Sequence, residues 1–128
     1  MGRMSSWVGS LVLAAAGFMT WAVYSLPLLT GRAAIREAWD DSYYWSVGLP
    51  VLVALLLIAG ALTRVQPWLL AVAAVAGHFL GMLVIARPGT DLGLLPLTVL
   101  FIGAPMFLVF TGAAWVGGWV RELAAQTE

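Results

Sequence analysis

All six acidic residues and all six arginines of this 128-residue chain lie outside its long apolar stretches. Four hydrophobic runs remain, Trp7–Leu29, Tyr43–Thr63, Trp68–Ala86 and Leu94–Val120. Each is close to the ~20 residues that a helix needs to cross ~30 Å of hydrocarbon. Charges are expelled from such runs because an ionised side chain at the bilayer centre costs about 2.5–3.5 kcal/mol even on lenient insertion scales. The pattern predicts an all-α membrane protein: a single integral domain over residues 1–128, built as a four-helix transmembrane bundle.

Composition closes off other classes. At 62% hydrophobic and 9% charged residues, the chain is far from a soluble domain, in which about a quarter of residues are charged. Lysine is absent and the net charge is zero, so there is no basic patch for nucleic acid. The chain has no cysteine, which removes disulfides, thiolate catalysis and iron–sulfur ligation together. Arg3, the apolar run from Trp7 and the small residues Ala14, Ala15 and Ala16 resemble a secretory signal. The run continues through Trp21, Leu26 and Leu29, beyond the length of a signal's apolar region, so a first span is the expectation.

Within the first span, Ser10, Gly17 and Tyr24 recur every seven residues and make one face small and slightly polar, suited to neighbouring helices. The only extended polar segment, Thr30 to Ser42, is expected to hold a short interfacial helix between spans one and two. There Arg32, Arg36 and Asp40 lie one turn apart, and Ile35 and Trp39 form a second stripe. Asp40, Asp41 or Ser42 is placed to cap the second span. Trp39, Tyr43, Tyr44 and Trp45 follow almost without interruption and read as an aromatic belt fixing one membrane interface.

Pro50, preceded by Gly48, predicts a kink or local widening in the second span. The short link Arg64-Val65-Gln66-Pro67 makes spans two and three an antiparallel hairpin. In the third span Ala73, Gly77 and Gly81 stand four residues apart, a spacing that lets helix backbones approach closely. Span four carries Pro96 and Pro105 and is anchored by Trp115 and Trp119, with a short polar tail expected to fray after Arg121. No internal repeat stands out; Gly48/Pro50 and Gly103/Pro105 are the only hint of a duplicated hairpin.

His78 is the one intramembrane side chain able to titrate near neutral pH, which makes it the candidate proton or ligand site. No carboxylate and no second histidine accompany it on any span. A metal or haem at His78 would require two copies of the chain, and no cofactor is expected. The alternative is a neutral imidazole bonded to a carbonyl or hydroxyl of another helix. The hydroxyls of Ser10, Thr20, Thr63, Thr98 and Thr111 have no base nearby in sequence, so the chain is not read as an enzyme. If all four spans cross, Arg3, Arg64 and Arg121 share one side and Arg32, Arg36 and Arg87 the other. This is a tie under the positive-inside rule. The amino terminus, and the acids beside the opposite arginines, favour cytoplasmic termini; a dual-topology protein would show the same tie.

The stretch Trp39-Asp40-Asp41-Ser42-Tyr43-Tyr44-Trp45, with Gly48-Leu49-Pro50 and Gly93-Leu94-Leu95-Pro96-Leu97, resembles small four-span inner-membrane proteins of bacteria. That resemblance implies a bacterial inner-membrane location and no activity. In size the chain is also similar to small multidrug-resistance transporters, which depend on a glutamate in their first helix; the first span here has none. The expected function is a non-catalytic structural or accessory subunit. Its partners would be the lipid bilayer and other membrane helices, in a hetero-complex or a homo-oligomer. The runner-up is a small homo-oligomeric transporter or channel using His78 and the proline-broken spans.

Overall fold

The computed structural model describes residues 6–25, 38–85 and 92–127. Four helices there are long and apolar enough to cross a membrane. They are α1 (Ser6–Ser25), α2 (Tyr44–Leu62), α3 (Pro67–Val84) and α4 (Leu95–Ala125). No strand occurs among the described residues. The chain is therefore an all-α, four-span integral membrane protein. The expected interfacial helix falls mostly on residues outside those described; of that segment the structure describes Ala38–Asp40, a 3₁₀ turn. A second 3₁₀ turn, Leu92–Leu94, leads into α4.

Sequence neighbours are not the closest partners. The tight link after α2 suggested a hairpin, yet α2 and α3 touch only sparingly. The intimate pairs are α1 with α3 and α2 with α4, and α3 also packs along α4. The cause is the placement of small residues. A side chain at Gly77 would run into the carbonyl oxygen of Ala14, and one at Gly17 into that of Ala74. In the other pair, Gly60 abuts the Ala114 carbonyl and Gly117 the Leu57 carbonyl. Without a hydrophobic force to drive helices together in lipid, such backbone contact supplies van der Waals area. Cα–H···O contacts add about 0.5–1 kcal/mol each.

These contacts are reciprocal. In each pair, a glycine meets the carbonyl three residues before its partner glycine, and the partner does the same in return. Such an exchange is what a two-fold axis running along two parallel helices produces. Each of the two helix pairs thus has local two-fold character at its seam, and similar short signatures recur in the sequence. Ala14-Ala15-Ala16-Gly17 answers Ala74-Val75-Ala76-Gly77. Gly48-Leu49-Pro50 answers Gly103-Ala104-Pro105, and Gly60-Ala61 with Arg64 answers Gly117-Gly118 with Arg121.

Pro50 and Pro105 are accommodated in the same way. A π-helical turn, Tyr44–Gly48 in α2 and Val99–Gly103 in α4, immediately precedes the residue pair ending in Pro50 or Pro105. The widening frees the carbonyl that the proline cannot satisfy. It also holds a face in register. Buried residues recur every four positions along α2, at Tyr44, Gly48, Leu52, Leu56 and Gly60. In a regular α-helix that stripe would drift steadily around the axis. The wider turn at its start reduces the drift.

Two core clusters result. Leu13, Leu52, Leu56, Leu70, Ala74, Met106, Phe110 and Ala114 fill one, and Trp21, Ala38, Tyr44 and Met82 the other. The tail corrects one expectation. The helix α4 continues past Arg121 to Ala125 instead of fraying at Arg121. Leu123, Ala124 and Ala125 favour helix. Arg121 donates to the Gly60 and Thr63 carbonyls at the C-terminus of α2, which pins the last turns in place.

Two substitutions separate packing from helix propensity. Gly77→Ala places a methyl against fixed backbone and is expected to destabilise the bundle by ~1–3 kcal/mol, although alanine is the better helix former. Gly112→Ala meets nothing within 4 Å and should be neutral or stabilising by up to ~1 kcal/mol. Reversible unfolding in detergent measures both; equal effects would refute the seam.

Candidate functional site

The residues singled out from sequence converge on one end of the bundle. His78 is buried, 1% exposed, on the face of α3 turned toward α1 and α2. Its Nε2 lies 3.0 Å from the hydroxyl of Tyr44, a hydrogen bond joining residues 34 apart in the chain. Because α2 and α3 otherwise touch little, this bond is a principal polar tie between them. A tyrosine hydroxyl and an imidazole can each donate or accept, so this bond can form with either ring tautomer. The Gly17 backbone faces the ring, but not at hydrogen-bonding geometry, and Nδ1 has no partner among the described residues.

Aromatic rings close around the pair. Trp21 stands edge-on to His78 at 5.3 Å and to Trp39 at 4.9 Å. Phe79 approaches the imidazole at 5.9 Å and Tyr24 meets Tyr44 at 6.0 Å. Such T-shaped contacts bring positive ring edges to negative faces and add about 0.5–1.5 kcal/mol each. The Trp21 indole nitrogen is buried without a partner among the described residues.

Local structure aims Tyr44 inward. Asp41 accepts the Tyr43 N–H through its side chain at 2.9 Å, and its own carbonyl accepts the Tyr44 N–H at 3.1 Å. The π turn then begins at Tyr44. Tyr44 is consequently fully buried, while its neighbours Tyr43 and Trp45 are 55% and 53% exposed.

The aromatic belt expected from Trp39, Tyr43, Tyr44 and Trp45 is therefore divided. Tyr43 and Trp45 face outward; the Trp45 indole donates to the Trp39 carbonyl at 2.8 Å. Trp39 is half-buried against Trp21, and Tyr44 belongs to the core, not to the interface. Sequence reasoning missed Tyr44 because it sits in an aromatic run. The available signal was its place on the four-residue stripe with Gly48, Leu52, Leu56 and Gly60. Of the predicted packing residues, Gly77 and Gly81 are buried against α1, Gly81 facing the Phe18 backbone and Trp21. Ala73 is half-buried at the edge of the aliphatic cluster.

Chemically, the site is an imidazole–phenol pair in an aromatic cage. Among the described residues, no group of three or more His, Asp or Glu side chains is arranged to hold a metal. Fold and site together define a small all-helical membrane protein with a single buried histidine. No family model, curated protein or solved structure matches the chain.

The pair can be tested as a unit. His78→Leu and Tyr44→Phe each orphan a buried polar group and should cost ~1–3 kcal/mol. Combining them should cost less than the sum of the two, while His78→Gln, which still donates and accepts, should retain most of the stability. Strict additivity in a detergent unfolding cycle would show that the two side chains do not interact.

Proposed function

We propose that the protein is a non-catalytic integral membrane protein, a small structural or accessory subunit that acts through helix–helix contacts. Its setting in this reading is a bacterial inner membrane, with both termini in the cytoplasm. The observation that carries the proposal is where the intramembrane polar chemistry goes. His78 is bonded to Tyr44 and enclosed by aromatic rings, and the seam glycines are turned onto neighbouring helices inside the bundle. Both features serve to hold this chain's own helices together.

What remains outward is apolar. An open groove of about 650 Å³ runs between α3 and α4, with the small residues Ala76, Gly103 and Ala104 along it and Pro96 and Phe107 at its sides. Small residues in a groove are what close helix approach in a membrane requires. A partner subunit's spanning helix is the occupant that fits the proposal.

A second reading has one observation in its favour. The π turn in α2 lies beside the His78 site, since Tyr44 opens it, and such turns are frequent at functional sites. On that reading the chain is a small homo-oligomeric transporter or channel. Gentle detergent extraction separates the two. An accessory subunit co-purifies with other membrane proteins, and Ala76→Phe, which fills the groove, releases them while leaving the monomer folded. A chain that elutes only with itself and supports proton-coupled flux lost in His78→Gln would overturn the proposal.

A further inference from the structure

We infer that the ends of α2 and α4 and the start of α3 form a binding site for a phosphate ester, supplied by the headgroup of an anionic glycerophospholipid. A half-open pocket of about 300 Å³ lies there, lined by Arg64, Gln66, Trp115, Trp119, Arg121 and Glu122, among others. Arg64 and Arg121 each stand four residues past a seam glycine, Gly60 and Gly117, and among the described residues only one of them is engaged. Arg121 donates to the Gly60 and Thr63 carbonyls at the end of α2. Its counterpart Arg64 has no equivalent carbonyls to reach. The helix α4 runs on to Ala125, so the Gly117 and Val120 carbonyls are used by its own later N–H groups. Arg64 is exposed and has no ion pair or hydrogen bond among the described residues.

Other features of the pocket point to the same chemistry. The N-terminus of α3, an 18-residue helix, opens on it, and Gln66 provides no side-chain cap there. The positive end of the helix dipole and Arg64 thus face one space. Two guanidinium groups stand against one carboxylate, and that carboxylate, Glu122, sits 4.0 Å from Arg121 with 68% of its side chain exposed. Trp115 and Trp119 are 62% and 52% exposed, as are rings that lie at headgroup level. A phosphate held here would have its acyl chains directed along the apolar sides of α2 and α4. Basic pockets between spanning helices recognise anionic headgroups in this way.

Native mass spectrometry of the full chain, released from micelles doped with phosphatidylglycerol or phosphatidylcholine, tests the site. Phosphatidylglycerol should be retained in preference. Arg64→Ala should weaken retention about fivefold, Arg64→Lys should restore most of it, and Glu122→Gln should strengthen it. Unfolding in lipid-free detergent should be unchanged in Arg64→Ala, which separates loss of the site from loss of the fold. Competition by millimolar inorganic phosphate would assign the site to soluble phosphate, whereas its failure assigns the site to lipid. Equal retention of the two lipids, or insensitivity to both Arg64→Ala and Glu122→Gln, would overturn the inference.

Discussion

Backbone meeting backbone at four glycines is the contact on which the rest of the bundle depends. In lipid, an apolar side chain gains little by leaving hydrocarbon for a protein interior, so helices associate where their surfaces fit. Gly17 and Gly77 bring α1 onto α3, and Gly60 and Gly117 bring α2 onto α4. Everything else is arranged around those two seams. The aliphatic cluster lies between them at one end, and the aromatic cage with its His78–Tyr44 bond crosses between them at the other.

The seams explain how a polar pair is tolerated at this depth. A buried imidazole in hydrocarbon needs a partner, and here it comes from α2, a helix that otherwise presses little against α3. The π turn at the head of α2 supplies Tyr44 from that direction. One bond therefore pairs the Tyr44 hydroxyl with His78 Nε2 and ties together two helices that the glycines leave apart. Enclosure by Trp21, Tyr24 and Phe79 keeps the pair in a single geometry.

The two seams resemble each other locally, but what surrounds them differs. The paired signatures around Gly17 and Gly77, Pro50 and Pro105, and Arg64 and Arg121 place equivalent residues on two halves that differ in length. At the level of the cage, His78 has Phe18 as its counterpart, so only one half carries an imidazole. At the opposite end, α4 outlasts α2, so one arginine caps a helix and the other does not. Differences between the halves, and not the shared frame, supply the chain's distinctive chemistry.

Four spans, their approximate limits, the widening ahead of Pro50 and the singularity of His78 were legible in the sequence. These follow from local physics: the exclusion of charge from hydrocarbon, the missing proline donor and the shortage of ionisable groups. Gly77 and Gly81 could likewise be recognised as small residues on one helical face. Which helix they meet was not legible, because a glycine does not name its partner and the short Arg64–Pro67 link identifies a sequence neighbour, not the most intimate contact. Tyr44 differed from Tyr43 and Trp45 in sequence only by its place on the stripe with Gly48 and Leu52, and the π turn set its direction. The matching of Gly60 with Ala114 and Gly117 with Leu57 likewise exists only across space. Local sequence determined that each segment is a spanning helix. Tertiary structure alone decided which backbones touch, since that depends on the shapes of two surfaces and not on the polarity of either.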